Sequence, residues 1–139
     1  MDNMITTNIP LRLEDGKVIG ATLQRRAQDT TCWLLLVAED IKETSTATDY
    51  FEAFAIIRKR LARRGIFPLC YGASRNVWPS AMAREMGQGL KAYKLKQGEP
   101  GREIVEIFST GTDIESVTPE EQKSFAAGSL GSDQANRPI

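Results

Sequence analysis

Asp49-Tyr50-Phe51-Glu52-Ala53-Phe54-Ala55-Ile56-Ile57-Arg58-Lys59-Arg60-Leu61-Ala62-Arg63-Arg64-Gly65 is the stretch on which the fold reading turns. Tyr50, Phe54, Ile57 and Leu61 recur at helical spacing and draw one apolar stripe along a helix over 50–64. Asp49 stands at the N-cap with Glu52 three residues on, a capping-box-like entry that satisfies orphan amides of the first turn. Gly65 supplies a left-handed C-terminal stop. A single amphipathic helix must bury its stripe against something apolar, and the residues before it offer a sheet.

Upstream, Pro10–Glu14 and Lys17–Leu23 alternate around Asp15-Gly16, a hairpin signal for which a type I′ turn is expected. Thr31–Ala38 is a short apolar run containing Trp33, expected to be a central strand covered on both faces. Ile41–Ala47 is polar but rich in β-branched residues and reads as an exposed strand or extended lead-in.

Downstream, Ile66–Tyr71 reads as a return strand. Gly72–Trp78 is a loop, and Pro79 suits the first position of a short helix reaching Met86. Leu90–Lys96 and Glu103–Phe108 alternate and form a second hairpin through Gln97–Gly101. Thr118-Pro119-Glu120-Glu121 starts another helix, with Thr as cap and Pro first, expected to end at Ala127. The predicted fold class is α+β: a mainly antiparallel sheet of five to seven strands, one long helix packed on it and a shorter C-terminal helix. One domain is expected over 1–127, followed by a flexible polar tail over 128–139.

The 139 residues suit one such domain, and 41% hydrophobic content argues against global disorder. Lys plus Arg and Asp plus Glu are 18 each, which disfavours a uniformly basic nucleic-acid binder and a uniformly acidic mimic. There is no histidine, so the usual acid–base group near neutral pH and the commonest metal ligand are missing. Cys32 and Cys70 are too few for a zinc site or a disulfide scaffold and read as buried, inert thiols in neighbouring strands, with a single disulfide as the alternative. No metal, cofactor or catalytic residue is expected. The N-terminus shows no secretory pattern and no apolar run approaches a membrane span, so a cytoplasmic location is expected.

Three features invite a functional reading. Arg58, Lys59, Arg60, Arg63 and Arg64 put five cations in seven positions. They read as a solvated helix end complementing the macrodipole on the face opposite the stripe, with a phosphate-tracking patch for nucleic acid as the alternative. The Gly72–Gly89 segment holds Ser74, Arg75, Asn76, Trp78, Arg84 and Glu85. Ser74 has no His or suitably spaced Lys to activate it, and the glycines match no phosphate-binding loop. An Arg–Glu or Arg–Asn network pinning the loop is expected, with Trp78 either a core anchor or a partner hot spot. An enzyme reading would need a deep pocket holding Ser74, Arg75 and a carboxylate of shifted pKa. Finally, Asp113, Glu115, Glu120 and Glu121 belong to an acidic stretch that reads as helix-start chemistry or as a face for a basic partner.

Cys70-Tyr71-Gly72-Ala73-Ser74-Arg75-Asn76-Val77-Trp78-Pro79-Ser80-Ala81-Met82-Ala83-Arg84-Glu85-Met86-Gly87-Gln88-Gly89-Leu90-Lys91-Ala92-Tyr93 resembles small bacterial proteins of polymorphic toxin systems, of the contact-dependent growth inhibition and Rhs type. Such proteins act as cytoplasmic immunity partners. The resemblance implies a single-domain inhibitor without cofactor or catalytic residues, binding the C-terminal domain of a cognate toxin, often a nuclease. Arg75, Asn76 and Trp78, with Asp113, Glu115, Glu120 and Glu121, are then the expected partner-binding residues.

Overall fold

A computed structural model describes residues 3–96 and 99–135, with side chains excepted at 99–102 and 130–135. The chain is α+β. Strands β1 (Ile5–Arg12), β2 (Val18–Gln28), β3 (Thr31–Ala38) and β4 (Ile41–Ala47) form an antiparallel meander. A two-residue strand β5 (Phe67–Pro68) returns to pair with the end of β1, giving the order β4-β3-β2-β1-β5. Between β4 and β5 lies helix α1 (Tyr50–Ala62).

Alternation along the strands fixes which face is covered. Ile9 and Leu11 of β1, Ala21 and Leu23 of β2, and Cys32, Leu34 and Leu36 of β3 are buried together with Tyr50, Phe54, Ile57 and Leu61 of α1. The expected stripe therefore meets the sheet. β3, however, is covered on one face only: Val37 is exposed, and Trp33 and Leu35 are half-buried on the side away from α1. An unbroken apolar run looks like a doubly covered strand, but here it has no second layer above it.

Local chemistry explains the ends. The Asp49 side chain accepts from the Glu52 amide at 2.7 Å, and Gly65 adopts φ +70° past the helix end. In the first hairpin, Leu13 N–H donates to the Lys17 carbonyl, leaving three loop residues with Gly16 alone at positive φ (+88°). This three-residue loop replaces the expected type I′ turn, because Asp15 stays outside the left-handed region and only Gly16 enters it. The next two hairpins turn on Asp29 (φ 55°) and Glu39 (φ 46°), residues that bear the left-handed conformation without glycine.

Beyond β5 the expected return strand over 66–71 is cut short. Cys70 leads into a 3-10 turn (Tyr71–Ala73), so the two cysteines are buried and free but do not lie in neighbouring strands. A second, three-stranded sheet follows: β6 (Val77–Trp78), β7 (Lys91–Lys96) and β8 (Glu99–Glu106), in that order. The connection between β7 and β8 at 97–98 lies outside the described residues. Helix α2 (Ala81–Met86) is capped by Ser80, whose hydroxyl accepts from Ala83 N–H; Pro79 therefore precedes the cap instead of opening the helix. A hydroxyl beats proline at the boundary because it supplies an acceptor.

Helix α3 (Pro119–Ala135) starts as the sequence predicts. Thr118 and Glu121 cap each other, each backbone N–H donating to the other's side chain at 3.2 Å. The helix runs on past Ala127 to Ala135, so its 17 residues exceed the 13 of α1. Gly128 lies within it with open space around its Cα. Residues 136–139 of the expected tail lie outside the described residues.

Candidate functional site

Arg58 is the first surprise. It is 1% exposed, inside the core and not on the solvated face. Its Nη1 donates to the Gly72 carbonyl at 3.1 Å and to Gln122 Oε1 at 2.8 Å; its Nη2 donates to the Val117 carbonyl at 2.9 Å and the Ala73 carbonyl at 3.5 Å. Nε has no partner among the described residues. The guanidinium is held by carbonyl dipoles without a carboxylate, and burial lowers its pKa to about 10. Gln122 faces it, and its Nε2 is shared among the carbonyls of Gly72, Ser74 and Val77. Gly72 is required here, since a Cβ would stand 2.9 Å from both Ile107 Cβ and Ile107 O.

This node fixes the Gly72–Trp78 loop. Ser74 is fully buried, its hydroxyl donating to Asn76 Oδ1 at 3.2 Å and accepting from Glu115 N–H at 3.0 Å. It is a framework hydroxyl that ties two loops together. Asn76 is half-buried, and its carbonyl accepts from Leu95 N–H. Trp78 is also half-buried and meets Phe51 edge-on at 5.5 Å, with the Arg84 guanidinium 5.3 Å from its ring centre. Arg84 in turn reaches Asp49 at 3.4 Å and Glu52 at 3.6 Å, so Trp78 helps seat α2 on the start of α1.

The expected partner-binding carboxylates each have a partner within the chain. Asp113 meets Lys94 Nζ at 2.7 Å and accepts from the Tyr71 hydroxyl at 2.8 Å; Lys94 also holds Glu103 at 3.0 Å. The hydrogen bonds from Lys94 and then Tyr71 lower the Asp113 pKa, and the same bond to Asp113 raises that of Tyr71. Glu115 pairs with Arg75 at 3.7 Å, Glu120 with Lys59 at 3.7 Å, and Glu121 belongs to the helix cap. Arg75 is exposed beside Glu115 and lies over the Phe125 ring at 4.8 Å. The structure thus brings Arg75 and Glu115 together, whereas Trp78 belongs with α1 and α2. The basic helix end is thinned in the same way: Arg58 is withdrawn, Arg60 reaches Glu43 and Thr44 O, and Arg64 reaches Asp40.

A feature not singled out from the sequence lies on the other face of the second sheet. A groove of about 520 Å³ opens between α2 and β7–β8, walled by Met82, Met86, Leu90, Tyr93 and Ile104. Met82, Met86 and Ile104 are 61%, 80% and 56% exposed, too much for core residues. Lys91 and Glu106, opposite each other across the strands, are the charges at its edge. Met82 and Met86 stand four apart on a six-residue helix, a spacing that places both on one side and was legible in the sequence.

No protein-family model matches this chain, and no curated protein matches it at a significant level. Among the described residues no helix is long and apolar enough to cross a membrane, and no three His, Cys, Asp or Glu side chains gather to hold a metal ion.

Proposed function

We propose that this chain is a non-catalytic binding protein of the toxin-immunity kind, acting in the cytoplasm, and that its α2/β7–β8 groove receives the toxin domain. The observation that carries the reading is the exposure of Met82, Met86 and Ile104 around one apolar groove. Methionine adapts its shape to a partner at low cost, and a clustered apolar surface on a small domain marks an interaction site. The stretch that resembles immunity proteins builds the 3-10 turn, β6, α2 and the start of β7, so it supplies one wall of this groove and the loop beneath it. Lys91 and Glu106 leave the edge with no net charge, which suits an apolar toxin segment of low net charge rather than a basic one. The pairing of Asp113, Glu115 and Glu120 with cations of the chain itself points the same way, since paired carboxylates steer a basic partner weakly.

Co-expression with the toxin domain encoded beside this chain tests the proposal. Wild type should rescue growth and form a complex on gel filtration. Met86→Glu and Ile104→Asp, both at exposed positions, should abolish rescue while leaving the circular dichroism and melting temperature unchanged. Growth arrest with wild-type protein present, and no complex, would overturn the reading.

A further inference from the structure

We infer that the uncovered face of the five-stranded sheet binds single-stranded nucleic acid, a function separate from protein docking at the groove. The charge distribution in the five strands is lopsided. They contain one carboxylate, Glu43, and it turns toward α1 to meet Arg60 at 3.4 Å. The register places Arg12, Arg26 and Lys42 on the opposite side, in rows that also hold Asn8, Gln24, Thr44 and Thr46. The acidic residues of the hairpin turns, Glu14, Asp15, Asp29, Glu39 and Asp40, sit at the ends of the strands, and Asp49 and Glu52 belong to the start of α1 on the covered side. The strands themselves therefore offer a field of one sign.

Aromatic rings lie in the same field. Arg26 covers the Trp33 ring at 4.8 Å, and Arg12 covers Phe67 at 5.5 Å. Beside the first pair is a depression of about 490 Å³ lined by Arg26, Gln28, Trp33 and Thr46 with the Asp29–Thr30 turn. A guanidinium on an aromatic plane is a platform for an unstacked base, and the neighbouring amides and hydroxyls can reach base edges while cations hold phosphates. A duplex hides its bases and gains nothing from the rings. The occupant is consequently single-stranded. The face lies across the sheet from α1 and from the core residues Val77, Ala92 and Ile107 of the second half, so the groove and this face can be disabled separately.

The experiment measures fluorescence polarisation of labelled oligo(dT) and oligo(rU) of about 12 nucleotides, a length within the usual span of such sites. The 139-residue chain should bind both, with quenching of Trp33 emission that Trp33→Phe removes from the signal. Neutralising three phosphates predicts a log–log salt slope near −2, about a 20-fold weakening from roughly 50 to 200 mM salt. Arg26→Gln with Lys42→Gln, both exposed, should weaken binding about tenfold or more and flatten that slope. A duplex of the same length should bind at least about tenfold more weakly than the single strand. Absence of binding at low salt overturns the inference. So does equal affinity for duplex, or binding that survives the double variant and is lost instead with Lys59→Gln, Arg60→Gln, Arg63→Gln and Arg64→Gln. Met86→Glu should leave nucleic-acid binding unchanged, so failure of the groove reading and failure of this one are told apart.

Discussion

Arg58 and Gln122, 64 positions apart, meet side chain to side chain at 2.8 Å in the interior, and the carbonyl of Gly72 accepts from both. One cation and one amide thereby collect carbonyls from two separate stretches of chain, the Gly72–Val77 loop and Val117. Buried backbone oxygens need donors, and here two side chains provide what a ladder of strands otherwise would.

Removing either side chain strands the acceptors that it alone serves, Ala73 and Val117 O for Arg58 and Ser74 and Val77 O for Gln122. Arg58→Ala should cost about 3–5 kcal/mol, because several buried carbonyls lose a charged donor at once. Gln122→Ala should cost about 1–3 kcal/mol. The double variant should lose less than the two together by at least about 0.5 kcal/mol, the mark of a shared network. Urea melts of the four proteins test this; strict additivity would mean that the two groups act independently.

Phe54 is fully buried, edge-on to Phe108 at 5.2 Å and beneath Arg58. Phe54→Ala should lower stability by about 3–5 kcal/mol. A loss below about 1 kcal/mol in a denaturant melt would contradict the packing of α1 on the sheet.

Helix α1 and its capping were legible because one stripe and two flanking residues agreed. Arg58 was the exception, although Phe51, Phe54 and Arg58 follow helical spacing and place the cation beside buried rings. A cation among other cations at a helix end reads as solvated, and it is the carbonyls of Gly72, Ala73 and Val117, joined by Gln122 Oε1 from 64 positions away, that make burial tolerable. None of these is visible in a side-chain pattern. The same holds for the turns at Asp29 and Glu39, which lack glycine, and for the split into two sheets, decided by contacts far apart in sequence. The groove was half legible: Met82 and Met86 share a helix side, but Ile104 joins them only through its pairing with Tyr93.

Lys94 links Asp113 and Glu103, and the pH response follows from the directions of its shifts and those of Asp113. The Asp113 pKa is lowered, so its contribution is present above the ordinary aspartate range and is lost as pH falls through the lowered value. The Lys94 pKa is raised, by its hydrogen bonds to Asp113 and then Glu103, so its contribution is complete below the ordinary lysine value and is lost only as pH climbs through the raised one. Carboxyl-carbon NMR titration should find Asp113 titrating below ordinary aspartate, and Lys94→Met should move it back up. An unshifted Asp113 in wild type would refute the pairing.

Both thiols are shielded. Burial pushes Cys70 up to about 12 and also raises Cys32. Thiolate is the reactive form, so a disulfide reagent near pH 8 should leave the native protein unlabelled and label both cysteines in denaturant. Rapid labelling of the native chain would show that one of them is open to solvent.

The position of the acceptors around Arg58 also has a direction in time. Gly72 and Ala73 follow it by 14 and 15 positions, but Val117 and Gln122 follow by 59 and 64. A ribosome makes the chain from its N-terminus, so the meander and α1 emerge long before their guanidinium can be fully enclosed. A chain cut short ahead of α3 keeps the carbonyls of Gly72, Ala73 and Val117 but lacks Gln122, so the guanidinium loses its 2.8 Å bond and the carbonyls of Ser74 and Val77 lose a donor. The Gly72–Val77 loop, translated early, thus has its full set of donors only once α3 has been made.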